Sequence, residues 1–157
     1  MPVEPTVHST FVLERSYPAT PERVFAAFAD SGQKRRWFVE GHRNIVKRYE
    51  LDFRVGGREQ SEIVLGEGTP VAGKTCANDT LYQDIVINRR IVFSSSMTIA
   101  DHCISASLVT IELLPTASGT DLLCTYQGAF FEHSDGPERR QQGWNVLLDK
   151  LSEEFAH

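Results

Sequence analysis

The chain has 157 residues, 41% hydrophobic and 24% charged, with a formal net charge of −5 and a pI near 5.5. That length sets one domain with a single sizeable core, and the acidic balance excludes the basic footprint of a nucleic-acid partner. No apolar run reaches the ~18 residues of a membrane span and no charged-then-apolar leader opens the chain, so a cytoplasmic location is expected.

Residues 1–8 are polar, carry two prolines and read as a loose N-terminal tail, with one domain over 9–157. From Ser9 to Tyr17 the chain fits a first strand, with Phe11, Leu13 and Tyr17 on one parity and Val12, Glu14 and Ser16 on the other. Thr20-Pro21-Glu22-Arg23 is a helix start: Thr20 can cap, Pro21 suits the first helical position, and Glu22 favours the first turn. Val24, Phe25 and Phe28 make a short apolar face, and Asp30-Ser31-Gly32 ends this helix and opens a second one through Trp37-Phe38. Lys34-Arg35-Arg36 reads as the solvated side of that second helix.

Strands are expected over 44–52 and 53–65, with Gly56-Gly57 marking a bulge or sharp bend. Glu67-Gly68-Thr69-Pro70 is a turn. A strand from about Gly73 to Ile87 returns at Asn88-Arg89 into Arg90 to Ile99, where Ile91, Phe93, Met97 and Ile99 alternate with Val92, Ser94, Ser96 and Thr98. Strands over 104–114 and 120–131 follow, joined by a turn at 115–119. Short connections make these strands antiparallel neighbours.

The last stretch, Pro137 to Phe155, changes period. Trp144, Leu147, Leu148, Leu151 and Phe155 recur at helical spacing and form one apolar stripe, while Arg139, Arg140, Gln142, Asp149, Lys150, Glu153 and Glu154 occupy the other faces. The stripe needs a broad apolar partner. The expected architecture is therefore α+β: a curved antiparallel sheet of about six or seven strands against a long C-terminal helix, with two short helices after the first strand.

Cys76, Cys103 and Cys124 are odd in number and far apart, which points to free thiols in a reducing compartment. His8, His42, His102, His133 and His157 are scattered in sequence, so no metal site is expected. No phosphate-binding or dinucleotide-binding glycine loop occurs, hence no cofactor is expected. Gly-x-Ser-x-Gly is absent, and Asp101-His102-Cys103 reads as turn structure, since adjacent residues do not face each other. No catalytic residue is assigned.

Thr20-Pro21-Glu22-Arg23-Val24-Phe25 with Trp37-Phe38, Phe53-Arg54-Val55-Gly56-Gly57-Arg58, Asp84-Ile85-Val86 with Arg90-Ile91-Val92-Phe93, Gly119-Thr120-Asp121-Leu122, and Gly143-Trp144 with Leu147-Leu148-Asp149-Lys150-Leu151 occur in one order over roughly residues 10–155. Together they resemble the activator of heat-shock protein 90 ATPase homologue-like family of the START-like (SRPBCC, birch-pollen-allergen-like) superfamily. The resemblance implies a helix-grip fold, with a cavity between sheet and helix for a lipid-like, polyketide-like or other apolar molecule. It also brings in a chaperone partner, a link to stress response and a possible homodimer. Ile87-Asn88 stands where the family commonly has Pro-Pro, and Tyr126 where many members have a histidine. The chaperone activators also carry a separate N-terminal domain, for which these 157 residues leave no room.

Candidate cavity-lining residues are Trp37, Phe53, Glu59, Tyr82, Phe93, Met97, Tyr126, Trp144 and Leu148, unless they simply fill the core. Gly143, inside the last helix, makes room for a ligand or for a close-packed strand. Glu59 shares a parity with Ser61, Ile63 and Leu65. It either enters an apolar interior, where Arg54 or Arg58 would have to compensate its charge, or lies exposed beyond the glycine bend. Tyr82 and Asp84 share a parity and either place a hydroxyl beside a carboxylate or form a solvated face. The expected function is binding of a small hydrophobic or amphipathic ligand. Alternatives are a polyketide cyclase or dehydratase-like enzyme using Glu59, Asp84, Tyr82 and Tyr126, and a chaperone-associated module.

Overall fold

The computed structural model describes residues 5–68 and 70–156. Thr69 of the expected turn, His157 and the first half of the expected tail lie outside the described residues. Seven strands form one antiparallel sheet: β1 (Val7–Tyr17), β2 (Ile45–Leu51), β3 (Arg58–Val64), β4 (Thr75–Val86), β5 (Arg90–Ile99), β6 (His102–Thr116) and β7 (Gly119–Phe130). Their order is β1-β7-β6-β5-β4-β3-β2, so β2 to β7 run as a meander and β1 closes against β7. β1 begins at Val7, taking the last two residues of the expected tail into the sheet.

The helices are α1 (Pro21–Ala29), α2 (Ser31–Lys34) and α3 (Pro137–Leu151), with a π-helical turn at Arg35–Val39 and a 3₁₀ turn at Ser152–Phe155. Thr20 Oγ1 caps α1 by accepting from Arg23 N at 3.3 Å. Asp30 ends α1 and caps α2, its Oδ2 accepting from Gln33 N at 3.0 Å. The widened turn closes where Glu40 N donates to Arg35 O at 3.0 Å.

Gly56 and Gly57 form the β2–β3 hairpin loop. Gly56 takes φ +83, and a Cβ on Gly57 would sit 2.2 Å from Asp52 O, so the loop closes tightly enough to exchange backbone hydrogen bonds with Tyr82. Register shifts between Val46 and Arg48, Tyr82 and Asp84, and Met97 and Thr98 bend the sheet.

The concave face holds the core. Phe11, Leu13, Tyr17, Ile111, Leu122 and Cys124 meet Leu148, Leu151 and Phe155 of the terminal helix, with Val24, Phe25 and Phe28 of α1 closing one end. Trp37 belongs to this packing. Its indole Nε1 donates to Ala27 O at 2.8 Å and its ring meets Phe28 edge-on. Phe53 is half-buried and packs against this core, edge-on to Phe25 and Tyr82. Leu148 is fully buried, and its carbonyl accepts from Tyr17 Oη at 2.8 Å.

Candidate functional site: a cavity beneath the N-terminal half of the terminal helix

Packing is unequal along α3. Its C-terminal half lies flat on the core, whereas its N-terminal half stands over a cavity of about 360 Å³. That volume falls in the ~300–1,000 Å³ range of small-molecule sites. One wall is α3, with Arg139, Arg140, Gly143, Trp144 and Leu147. A second is the chain after α2, with Phe38, Val39, His42 and Asn44. The floor is the inward face of β3 to β7. Gly143 makes room here: a Cβ there would meet nothing within 4 Å, and no strand packs against it.

Four of the nine expected cavity residues line this space: Phe93, Met97, Tyr126 and Trp144. Trp144 organises them, with ring centroids 6.5 Å from Phe93, 6.2 Å from Tyr126 and 6.2 Å from Phe38. The other five do not reach it. Trp37 and Leu148 are core, Phe53 packs half-buried against it, and the neighbouring Phe38 takes the place expected of Trp37, because Trp37 is tied back to α1 while the π-helical turn brings Phe38 to the cavity.

Glu59 and Tyr82 are buried in a closed cluster behind the wall formed by Phe38 and Phe93. Glu59 is 4% exposed, and its Oε1 accepts from Lys34 Nζ at 3.0 Å and from Tyr82 Oη at 2.7 Å. Its Oε2 accepts from Tyr49 Oη at 2.7 Å. The inward alternative for Glu59 is therefore the real one. Its compensating cation is Lys34, while Arg58 turns outward to Asp79 and Arg54 to Asp52. Lys34 is 2% exposed, which corrects the reading of Lys34-Arg35-Arg36 as one solvated run. Its ammonium lies over the Phe38 ring at 4.5 Å and within 5.9 Å of Phe28, Trp37 and Phe93. Burial first, and then the Glu59 charge, hold the Tyr49 and Tyr82 phenols far above their ordinary pKa. Asp84 is separated from Tyr82 by the register shift at Gln83 and instead pairs with Arg90 at 2.7 Å on the half-exposed end of the hairpin.

Sequence reasoning missed the polar part of the cavity. Ser61, Asn78, Thr80, Ser95, Ser105 and Ser107 put small polar side chains on the floor. Ser61 and Ser95 were signalled by parity, since they share faces with Glu59 and Phe93. Arg140, expected on a polar face of the helix, is 6% exposed. It stands four residues before Trp144, so helical spacing already placed it on the stripe. Its Nε and Nη2 donate to the two oxygens of Asp135 at 3.0 and 2.8 Å. Its Nη1 donates to Ser105 Oγ at 3.0 Å and Tyr126 Oη at 2.6 Å. Burial works against the Arg140 charge, but Asp135 and Tyr126 together outweigh it and the guanidinium pKa is raised.

Among the described residues no group of three His, Cys, Asp or Glu side chains could hold a metal ion, and no helix is long and apolar enough to cross a membrane. Cys76 and Cys124 are buried, and burial pushes their thiols up to about 11 and about 12. His102 opens β6 immediately after the Ala100–Asp101 turn, beside exposed Cys103.

Residues 18–156 match the family model of activator of Hsp90 ATPase homolog 1-like proteins. The chain belongs to that family. Its helix-grip fold is consistent with the START-like superfamily. A protein of Rhizobium loti, Mll3558, is 44% identical and superposes with a TM-score of 0.85 over 96% of this chain and 99% of its own. A protein of Rhizobium leguminosarum is 33% identical, with a TM-score of 0.89 over 96% of each chain. An AHSA1-like protein of Aeromonas hydrophila, 19% identical over 93% of this chain and 91% of its own, shares the fold with a TM-score of 0.66. No curated protein matches.

Proposed function

We propose that this family member binds a small amphipathic molecule in the cavity between the sheet and α3. The observation that carries this reading is the cavity itself. It is about 360 Å³, walled by Phe38, Ile63, Met97, Ile104, Trp144 and Leu147, and floored by serines and an asparagine. A site that only needed filling would have drawn larger side chains inward, because protein interiors pack to crystal density. Here β3 to β6 present Ser61, Asn78, Ser95 and Ser107, and the helix presents Gly143. Apolar walls supply burial energy at about 25 cal/mol per Å², and the polar floor selects molecules that carry oxygen or nitrogen as well.

The cyclase or dehydratase alternative has less support. Of its four acid–base candidates only Tyr126 lines the cavity. A chaperone partner rests on the family's name alone.

Native mass spectrometry of gently purified protein should show a mass excess that disappears on denaturation, and solvent extraction should recover the molecule. Delipidated protein should bind an environment-sensitive apolar dye, and a bulky substitution such as Gly143→Phe should abolish that binding. A chain that carries no extractable molecule and binds no apolar probe would end the proposal.

A further inference from the structure

The polar end of the cavity has a defined hydrogen-bond polarity. Arg140 spends Nε and Nη2 on the Asp135 carboxylate and Nη1 on the oxygens of Ser105 and Tyr126. A hydroxyl oxygen that accepts from a guanidinium keeps its own hydrogen to donate elsewhere. Neither Ser105 Oγ nor Tyr126 Oη donates to another protein group among the described residues, although they are 1% and 3% exposed. Both line the cavity. Two O–H donors, polarised by one buried cation, thus converge on the same space.

The charge agrees with the donors. Asp135 neutralises Arg140 and has both oxygens occupied in doing so. Arg139, exposed on the cavity wall, has no ion pair among the described residues, so the charged lining residues sum to one positive charge at neutral pH. We infer that this cavity selects molecules with a carboxylate head, held by the Ser105 and Tyr126 hydroxyls beneath Arg140 and attracted by Arg139, with an apolar body against Trp144 and Met97. This rests on the cavity-binding reading and names its ligand class. Arg140 is a positioning residue here: it turns two ambivalent hydroxyls into donors.

The test uses three probes with one tail and different heads: decanoate, decan-1-ol and decylammonium, each below its micelle concentration. Tryptophan emission, with Trp144 in the cavity wall, and calorimetry report binding. Decanoate should bind at least about tenfold more tightly than decanol, the value of a hydrogen bond to a charged group, and decylammonium most weakly. Ser105→Ala and Tyr126→Phe each remove one O–H and should narrow the decanoate-to-decanol ratio by about three- to tenfold. A native circular-dichroism spectrum and a cooperative thermal transition show that these variants are folded. Arg139→Gln should cost decanoate about threefold at low salt and less at high salt. Equal binding of the three heads, tighter binding of the ammonium, or variants that shift decanoate and decanol alike would overturn the carboxylate assignment and leave cavity binding standing. If no probe binds, both fall.

Discussion

Two clusters built on a buried cation lie among the described residues, and they are wired in opposite senses. At Glu59 a carboxylate is the hub. Lys34 and the Tyr49 and Tyr82 hydroxyls all donate into it, so every phenolic hydrogen is consumed. At Arg140 a guanidinium is the hub. It donates into Asp135, Ser105 and Tyr126, and the two hydroxyl hydrogens are left over. The first cluster sits behind the wall formed by Phe38 and Phe93 and fixes α2 to β2, β3 and β4. The second opens on the cavity. The same residue types therefore yield a closed structural joint or a recognition surface, according to which partner carries the protons.

The closed joint should show the largest effect. Lys34→Met strands a buried carboxylate, and chemical denaturation should record a loss of about 3–5 kcal/mol. Adding Glu59→Gln should recover a large part of it. A single-variant cost below ~1 kcal/mol would mean that Lys34 is not the compensating charge.

Alkaline pH comes next. The Tyr49 and Tyr82 phenols, and Tyr17 with them, have raised pKa values in the fold. A raised acid favours the folded state only below its unfolded pKa, so the unfolded chain loses protons first. Stability should be flat near neutrality and fall above pH ~9–10, by up to about 1.4 kcal/mol per pH unit for each proton. The buried thiols of Cys76 and Cys124 add to the fall from pH ~9 upward. Replacing Tyr49 by Phe should flatten the slope, and an unchanged slope would exclude its phenol as a source.

At the open cluster the effects shrink. Gly143→Ala puts a methyl group into open space on the helix and should stabilise by up to ~1 kcal/mol while weakening probe binding. A destabilised variant would show that the wall is tighter than the geometry says. The smallest effect is chemical. At pH 8 a thiol reagent should modify exposed Cys103 rapidly, and Cys76 and Cys124 only on unfolding.

Much of the fold was legible along the chain, because strand and helix periods differ and the terminal stripe needs a sheet to cover it. Period-two alternation found β5 to the residue. The two helix starts followed from Thr20, Asp30 and Pro21, whose capping chemistry is local. Parity also placed Phe93 and Met97 on the inner face. It failed at Asp84, since one extra residue at the register shift exchanges faces for everything beyond it.

By itself, then, the sequence determined the architecture, the family and four of the cavity residues, Phe93, Met97, Tyr126 and Trp144, since each rests on periods and ordered local motifs. Only the tertiary structure decided where the charges went. Lys34 is 25 residues from Glu59, and Arg140 is 35 residues from Ser105. Lys34 meets its counter-charge only because β3 delivers Glu59, and Arg140, whose carboxylate partner Asp135 lies five residues away, meets its two hydroxyl partners only because β6 and β7 deliver Ser105 and Tyr126. The functional distinction between a sealed joint and an open, donor-lined cavity follows from those long-range pairings.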